Sequence, residues 1–179
     1  IDLGKRTIKF TKELWIERND FMEEPSKKYF RLFPGNQVRL RYGYVVTCTG
    51  FEKDSSGNIT TVFCDYLPNT KSGTQGSDLI KVKGNIHWVS TKHAIEATVN
   101  LYDRLFKEEQ PGSATNNYLD DLNENSIKKV TAKLEENCLL ISPGDQFQFE
   151  RHGYFIADLN SKPSDIQINR TVTLRDNWQ

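Results

Sequence analysis

The sequence predicts a mainly β protein with a few short helices. Three observations carry this. Apolar and polar residues alternate with period two over many short runs, Gly, Pro, Asn, Asp and Ser cluster between those runs, and no long stretch keeps helical spacing. Many short strands separated by turns imply one or two β-barrels rather than a doubly wound α/β fold.

Taken in order, Thr7 to Phe10 and Glu13 to Ile16 read as short strands. Asp20-Phe21-Met22-Glu23 has the form of a capping box, which would open one helical turn before Pro25. From Val38 the alternation is cleaner. Val38, Leu40, Tyr42 and Tyr44 fall on one face and Arg39, Arg41 and Gly43 on the other, a single strand continuing through Cys48 with an arginine face. Asp54 to Asn58 is a turn, and Ile59 to Tyr66 returns as its hairpin partner. After a Gly-rich loop at 67–77, strands are expected at Lys81 to Ser90 and Ala97 to Leu101, and a short helix at Tyr118 to Leu122. Ser126 to Leu134 fits either a helix or a strand. Ser142-Pro143-Gly144-Asp145 is a turn leading into FQFERHGYF, residues 147–155, read as a strand, and residues 160–164 separate that from a last strand at Ile166 to Leu174.

Composition narrows the function. The 179 residues include 24 Lys plus Arg and 24 Asp plus Glu, so any polyanion site has to be a local patch. No apolar run reaches the roughly 20 residues that span a bilayer, and the first residues lack the apolar core of a signal peptide, which leads us to expect a soluble, cytoplasmic protein. Cys48, Cys64 and Cys138 show no CxxC spacing and no neighbouring His, so they are expected to be reduced, buried thiols without a metal. Nucleophile-elbow, zincin, P-loop and dinucleotide-binding motifs are all missing. His87 and His152 are the candidate bases for a stand-alone enzyme, against packed or hydrogen-bonded roles. The first of these is the weaker reading.

Charge and rings collect in two places. Residues 27–41 hold Lys27, Lys28, Arg31, Arg39 and Arg41 without one acidic residue, interleaved with Tyr29, Phe30 and Phe33. Guanidinium groups beside rings suit unstacked bases, and equally an arginine-bearing strand face paired with carboxylates. In FQFERHGYF, Phe147 and Phe149 share a face while Gln148 and Glu150 share the other, so the strand can anchor by its rings and present Gln148. Arg151 lands on the aromatic face unless a bulge near Gly153 turns it out. Near the end, Arg170 and Arg175 have acidic neighbours in Asp165 and Asp176.

Eight stretches, ELWIERNDF (13–21), KYFRL (28–32), VRLRYGY (38–44), NITTVFCDY (58–66), KVKGNIHWVS (81–90), LYDRLF (101–106), QFERHGYF (148–155) and NRTVTLRDNW (169–178), occur in an order and spacing that resembles the C-terminal anticodon-binding region of the glutaminyl-tRNA synthetase family. The resemblance implies two anticodon-binding barrels of the kind also found in a ribosomal protein, a proximal one from 1–33 and 104–179 and a distal one from 34–103. It implies binding of the tRNA(Gln) anticodon loop by a noncatalytic region, monomeric and away from membranes, attached to a catalytic domain that ligates glutamine to tRNA(Gln) with ATP. The HIGH-type and KMSKS-type motifs of that domain do not occur, so the chain is expected to be an excised region that uses no cofactor itself. Family positions for anticodon binding fall on Lys28, Phe30, Arg31, Arg39, Arg41, Gln148, Arg151, Arg175 and Asn177. Gln148 matches a glutamine associated with the middle base, Arg31 an arginine associated with the last, and Arg39 and Arg41 arginines near the first.

The sequence departs from the bacterial pattern at three of these positions. Lys28 and Phe30 stand where Gln and Lys are usual, and Asn177 where Thr is usual. An ammonium only donates, whereas an amide both donates and accepts, so reading of the middle base is the part most affected. A further arginine of the family pocket lies upstream of this sequence. The same barrels in a glutamyl-type synthetase, or in a ribosomal-RNA-binding ribosomal protein, are the alternatives.

Overall fold

A computed structural model describes residues 5–174. Arg175 and Asn177 lie outside the described residues. The described chain forms two compact units, residues 8–92 and residues 5–7 with 93–174. The sequence reading divided the chain at 33/34 and 103/104 instead. Strand pairing accounts for the difference, because residues 14–16 and the Phe21–Leu32 bridge belong with the 37–90 strands, while residues 95–102 pair with later strands.

In the 8–92 unit, β1 (Leu14–Ile16) pairs with β6 (Trp88–Ser90), and β2 (Gln37–Leu40), β3 (Val45–Lys53), β4 (Ile59–Tyr66) and β5 (Gly84–Ile86) form a sheet in the order β4-β3-β2-β5. Its core holds Phe21, Leu32, Val38, Leu40, Val46, Cys48 and Ile86. Strand β2 is antiparallel to β3 and parallel to β5, with Val38 opposite both Val46 and Gly84. A Cβ on Gly84 would lie 2.0 Å from the Phe30 carbonyl oxygen and 2.7 Å from Val38. Only glycine lets the Phe30 backbone approach that closely.

The other unit has one five-stranded sheet, ordered β8-β7-β11-β10-β9, from β7 (Ile95–Tyr102), β8 (Ile127–Leu134), β9 (Gln146–Phe149), β10 (Gly153–Ala157) and β11 (Ile166–Val172). Ala97, Val99, Leu134, Phe155, Ile166 and Ile168 form its core. Strands β7 and β11 run parallel, and Asn100, opposite Asn169, donates to the Asn169 side-chain oxygen at 2.7 Å. Asn169 in turn donates to Asp158 at 2.7 Å. Together with the Asn160 backbone N–H, whose effect is the larger, that bond holds the Asp158 carboxyl below its ordinary range.

Mainly β is what the structure has, but the sheets are open rather than closed barrels. Closure needs a hydrogen-bonded register between edge strands. Among the described residues β4, β5, β8 and β9 remain edges, and β8 carries Lys128, Lys129 and Lys133, residues that keep an edge from pairing further.

Several elements differ from the sequence reading. Residues 7–10 are outside any strand, where Phe10 packs its ring 5.1 Å from Tyr44 and 5.2 Å from Trp88. The helical turn at 20–23 is a 3-10 turn at Arg18–Asp20 that ends where it was expected to start, because the Asp20 carboxylate is spent on Arg31. Residues 38–48 are a hairpin: the Gly43 N–H donates to the Leu40 carbonyl at 2.7 Å, and Tyr42 has φ 59°. Residues 147–155 are likewise a hairpin, and 81–90 is broken into β5 and β6 around His87. The ambiguous Ser126 to Leu134 run is strand β8, since its partner β7 supplies a ladder from Ile95 to Tyr102. Cys48 is buried as expected, whereas Cys64 is exposed on edge strand β4 and Cys138 is half-buried.

Gly84→Ala should destabilise the 8–92 unit by about 1–3 kcal/mol or more, since backbone would have to move. Urea unfolding of the two proteins measures it. Gly50→Ala, at a glycine without positive φ where a Cβ would meet only Phe63 at 3.9 Å, is the comparison for glycine loss alone.

Candidate nucleic-acid interface

The segment 26–33 is a turn followed by a docked extended run. The Tyr29 N–H donates to the Ser26 carbonyl at 3.1 Å, and Lys28 occupies the left-handed region at φ 70°. Lys28 is exposed on that turn. Phe30 has its carbonyl against Gly84, is 48% exposed as a residue, and carries the Lys83 ammonium 5.2 Å from its ring centroid. An exposed ring with a cation on it is a stacking surface beside a phosphate-attracting charge. Sequence reasoning missed Lys83. Its signal was the KVKG spacing, which sets a lysine immediately before the glycine that admits Phe30.

Arg31 points the other way. It pairs with Asp20 at 2.9 Å, a carboxylate with no exposed surface, and donates to the Asn19 carbonyl at 3.2 Å. The Tyr29 hydroxyl donates to the same carbonyl at 3.1 Å. Arg31 keeps 38% of its side-chain surface, so it is both a structural partner and an accessible guanidinium.

Arg39 sits on the face of β2 that also carries Val45 of β3 opposite it. The loop 67–80 lies over that face. One terminal nitrogen of Arg39 donates to the Thr70 carbonyl at 2.6 Å and to Ser72 Oγ at 3.4 Å, the other to the carbonyls of Ser77 at 2.8 Å and Ile80 at 3.4 Å. The buried Thr70 hydroxyl completes the seam by accepting from the Val45 N–H at 2.9 Å. Arg39 therefore holds a loop, a use of the planar fork that lysine cannot copy.

Arg41 is not on the same strand face, because the chain turns after Leu40. Its backbone N–H donates to Ile86 at 2.9 Å, its carbonyl accepts from Trp88 Nε1 at 2.9 Å, and its guanidinium lies 4.6 Å from the Tyr42 ring centroid. Tyr42 is 56% exposed. The Ser72 hydroxyl and N–H both donate to the Gly43 carbonyl, so the loop that Arg39 holds also ties down the turn bearing Arg41.

Gln148 is exposed on β9, an edge strand, while Phe147 and Phe149 turn inward. Those rings lie 6.5 and 4.8 Å from the ring of the core residue Phe155. The expected division of labour along this strand is what the structure has. Arg151 is in the turn between β9 and β10, closed by the His152 N–H donating to the Phe149 carbonyl at 3.0 Å. Its φ of 76° is the left-handed value a type II turn requires at that position. The turn, rather than a bulge, takes it out of the strand pattern. Gly153 is fixed by the approach of the Val172 carbonyl, which a Cβ would meet at 2.2 Å.

His87 Nδ1 lies 3.5 Å from a Glu17 carboxylate oxygen, with both side chains about a quarter to a third exposed. No helix of the described residues is long and apolar enough to cross a membrane.

The 8–92 unit thus presents Phe30 with Lys83 and Arg41 with Tyr42, and the other unit presents Gln148. Two family models described as tRNA synthetases class I (E and Q), anti-codon binding domain, match residues 1–67 and 85–158. The chain belongs to that family of anticodon-binding domains. It is 58% identical over 178 residues to a glutamine–tRNA ligase of Ralstonia nicotianae, 59% identical over 178 to one of Ralstonia pickettii, and 57% identical over 177 to one of Bordetella pertussis. These alignments cover 99, 99 and 98% of this chain and 31, 31 and 30% of the relatives.

Two outcomes test these roles. Arg31→Ala should cost about 1.5–3 kcal/mol by depriving a buried carboxylate of a charged hydrogen bond, read as a lower urea midpoint. Arg39→Lys should speed amide exchange across residues 67–80 roughly ten- to a hundred-fold, the equivalent of losing one or two such bonds, while exchange in β9 and β10 stays as it was.

Proposed function

We propose that this chain binds the anticodon loop of tRNA(Gln) as the noncatalytic, RNA-reading part of a longer class I synthetase that joins glutamine to that tRNA with ATP. Gln148 carries the reading. It is an amide with both donor and acceptor, held exposed on a strand whose rings pack against the core, and it lies in the QFER stretch that resembles the family's middle-base position. Phe30 supplies a stacking surface and Lys28, Lys83 and Arg41 supply charge. Arg151, Arg175 and Asn177 join the set on the resemblance. Within the 8–92 unit Arg31, with part of its side chain open, can contribute directly, and Arg39 contributes by holding the 67–80 loop. The chain needs no cofactor of its own, ATP and glutamine being substrates of the catalytic part of the longer protein, and it works as a monomer in the cytoplasm.

The relatives carry the glutamine ligase name over about three times this length, which favours the glutaminyl over the glutamyl-type or ribosomal reading. Affinity would come from phosphate contacts, with a salt slope of about 0.7 per contact on single-stranded RNA, plus about 1–3 kcal/mol per stacked base.

Titration of the chain with an anticodon stem-loop at several salt concentrations tests this. The glutamine anticodon should bind tighter than a scrambled loop at matched salt, and equal affinity removes the reading role. Gln148→Ala should relax discrimination at one base with an unchanged salt slope, whereas Arg41→Ala should weaken all loops alike and flatten the slope.

A further inference from the structure

Cys48 and Cys64 stand directly opposite each other in the antiparallel β3–β4 pair. The surrounding backbone bonds fix which kind of opposite pair this is. The Leu67 N–H donates to the Val45 carbonyl at 2.9 Å, so the enclosed Val46 and Tyr66 form a non-hydrogen-bonded pair. The ladder alternates, which makes Thr47 and Asp65 a hydrogen-bonded pair and Cys48 and Cys64 a non-hydrogen-bonded one. The other side of β3 agrees. The Cys48 N–H donates to Asn36 at 3.0 Å and its carbonyl accepts from Gly35 at 2.9 Å, so both backbone groups face away from β4.

In such pairs the Cα atoms are about 4.5 Å apart and the side chains approach most closely. That separation falls within the roughly 4.4–6.8 Å that a disulfide spans. Each thiol shifts the other's titration, as groups in close proximity do, and Cys48 Sγ lies 3.7 Å from the Gly50 carbonyl. Immediately after Cys48 the register shifts by one residue, a bulge that gives β3 local freedom to adjust. Cys64 is on the edge strand and exposed, which gives a reagent an entry, while Cys48 is buried one strand inward.

We infer that Cys48 and Cys64 form a cross-strand dithiol site that a low-molecular-weight disulfide converts into an intramolecular disulfide with the β3–β4 ladder intact. The Cys64 thiolate attacks one sulfur of the reagent, forming a mixed disulfide and expelling one small thiolate. The Cys48 thiolate then attacks Cys64 Sγ, forming the Cys48–Cys64 bond and expelling the second. Two electrons pass from the cysteines to the reagent, and the two cysteine protons end on the two released thiols. Desolvation, with Cys48 alongside, pushes the Cys64 thiol up to about 12, and desolvation raises Cys48 as well. The site should therefore be slow at neutral pH and accelerate with each pH unit of thiolate gained.

The test is independent of RNA binding. The chain is incubated with glutathione disulfide at about pH 8.5, quenched with acid, alkylated and weighed, since thiolate supply limits the first step. The expected product lacks two hydrogens, carries no glutathione, links tryptic peptides 42–53 and 54–71, and reverts with dithiothreitol. Cys138→Ser should leave this unchanged. Cys48→Ser should stop at a glutathione adduct on Cys64, and Cys64→Ser should yield no internal link. A stable adduct on Cys64 in the unaltered chain, linkage through Cys138, or no reaction at any alkaline pH at which the chain stays folded would overturn the inference.

Discussion

The 8–92 unit depends on the approach of the Phe30 carbonyl and Val38 to Gly84. Strand β2 has no free edge, with β3 antiparallel on one side and β5 parallel on the other, and the parallel side is available only because residue 84 has no side chain. That contact draws the 26–33 segment onto the sheet and leaves the Phe30 ring outward beside Lys83. The core and the stacking surface thus share one cause.

Arginines within this unit divide between holding and binding. Arg31 neutralises a carboxylate that has no exposed surface, and Arg39 spends its terminal nitrogens on the 67–80 loop. Arg41, on a turn that the same loop secures, stays close to an exposed tyrosine. A basic run that looks uniform in sequence thus becomes a graded set. In the other unit the strain is placed differently: Arg151 at positive φ and Gly153 under the Val172 carbonyl make the turn that ends β9 just beyond Gln148. The aromatic anchors offset the strain of that turn: Phe155 is buried in the core and Phe147 and Phe149 pack partly buried against it.

Legibility differed by element. Strands bounded by strong turn chemistry, such as Ile59 to Tyr66 after Asp54-Ser55-Ser56-Gly57-Asn58, were readable because the turn residues themselves make the bonds: the Ser56 and Asn58 N–H groups donate to the Asp54 carboxylate at 2.9 and 2.8 Å. Hairpins at Arg41-Tyr42-Gly43 and Glu150-Arg151-His152 were not, because a tyrosine and an arginine take the left-handed positions that pattern rules reserve for Gly or Asn. The Asp20 capping box failed for a related reason. Its side chain had a stronger partner 11 residues away, which local spacing does not reveal.

Alternation along residues 147–149 determined by itself that Phe147 and Phe149 would anchor and Gln148 would be presented, since period two is a property of extended backbone whatever surrounds it. Collinear motifs determined the family. Only the tertiary structure decided that the sheets stay open, that Arg39 holds a loop while Arg41 sits on a turn, and that Cys48 meets Cys64. Each of these depends on which distant strand lies alongside, and pairing between strands is settled by packing and register rather than by the residues of one strand alone.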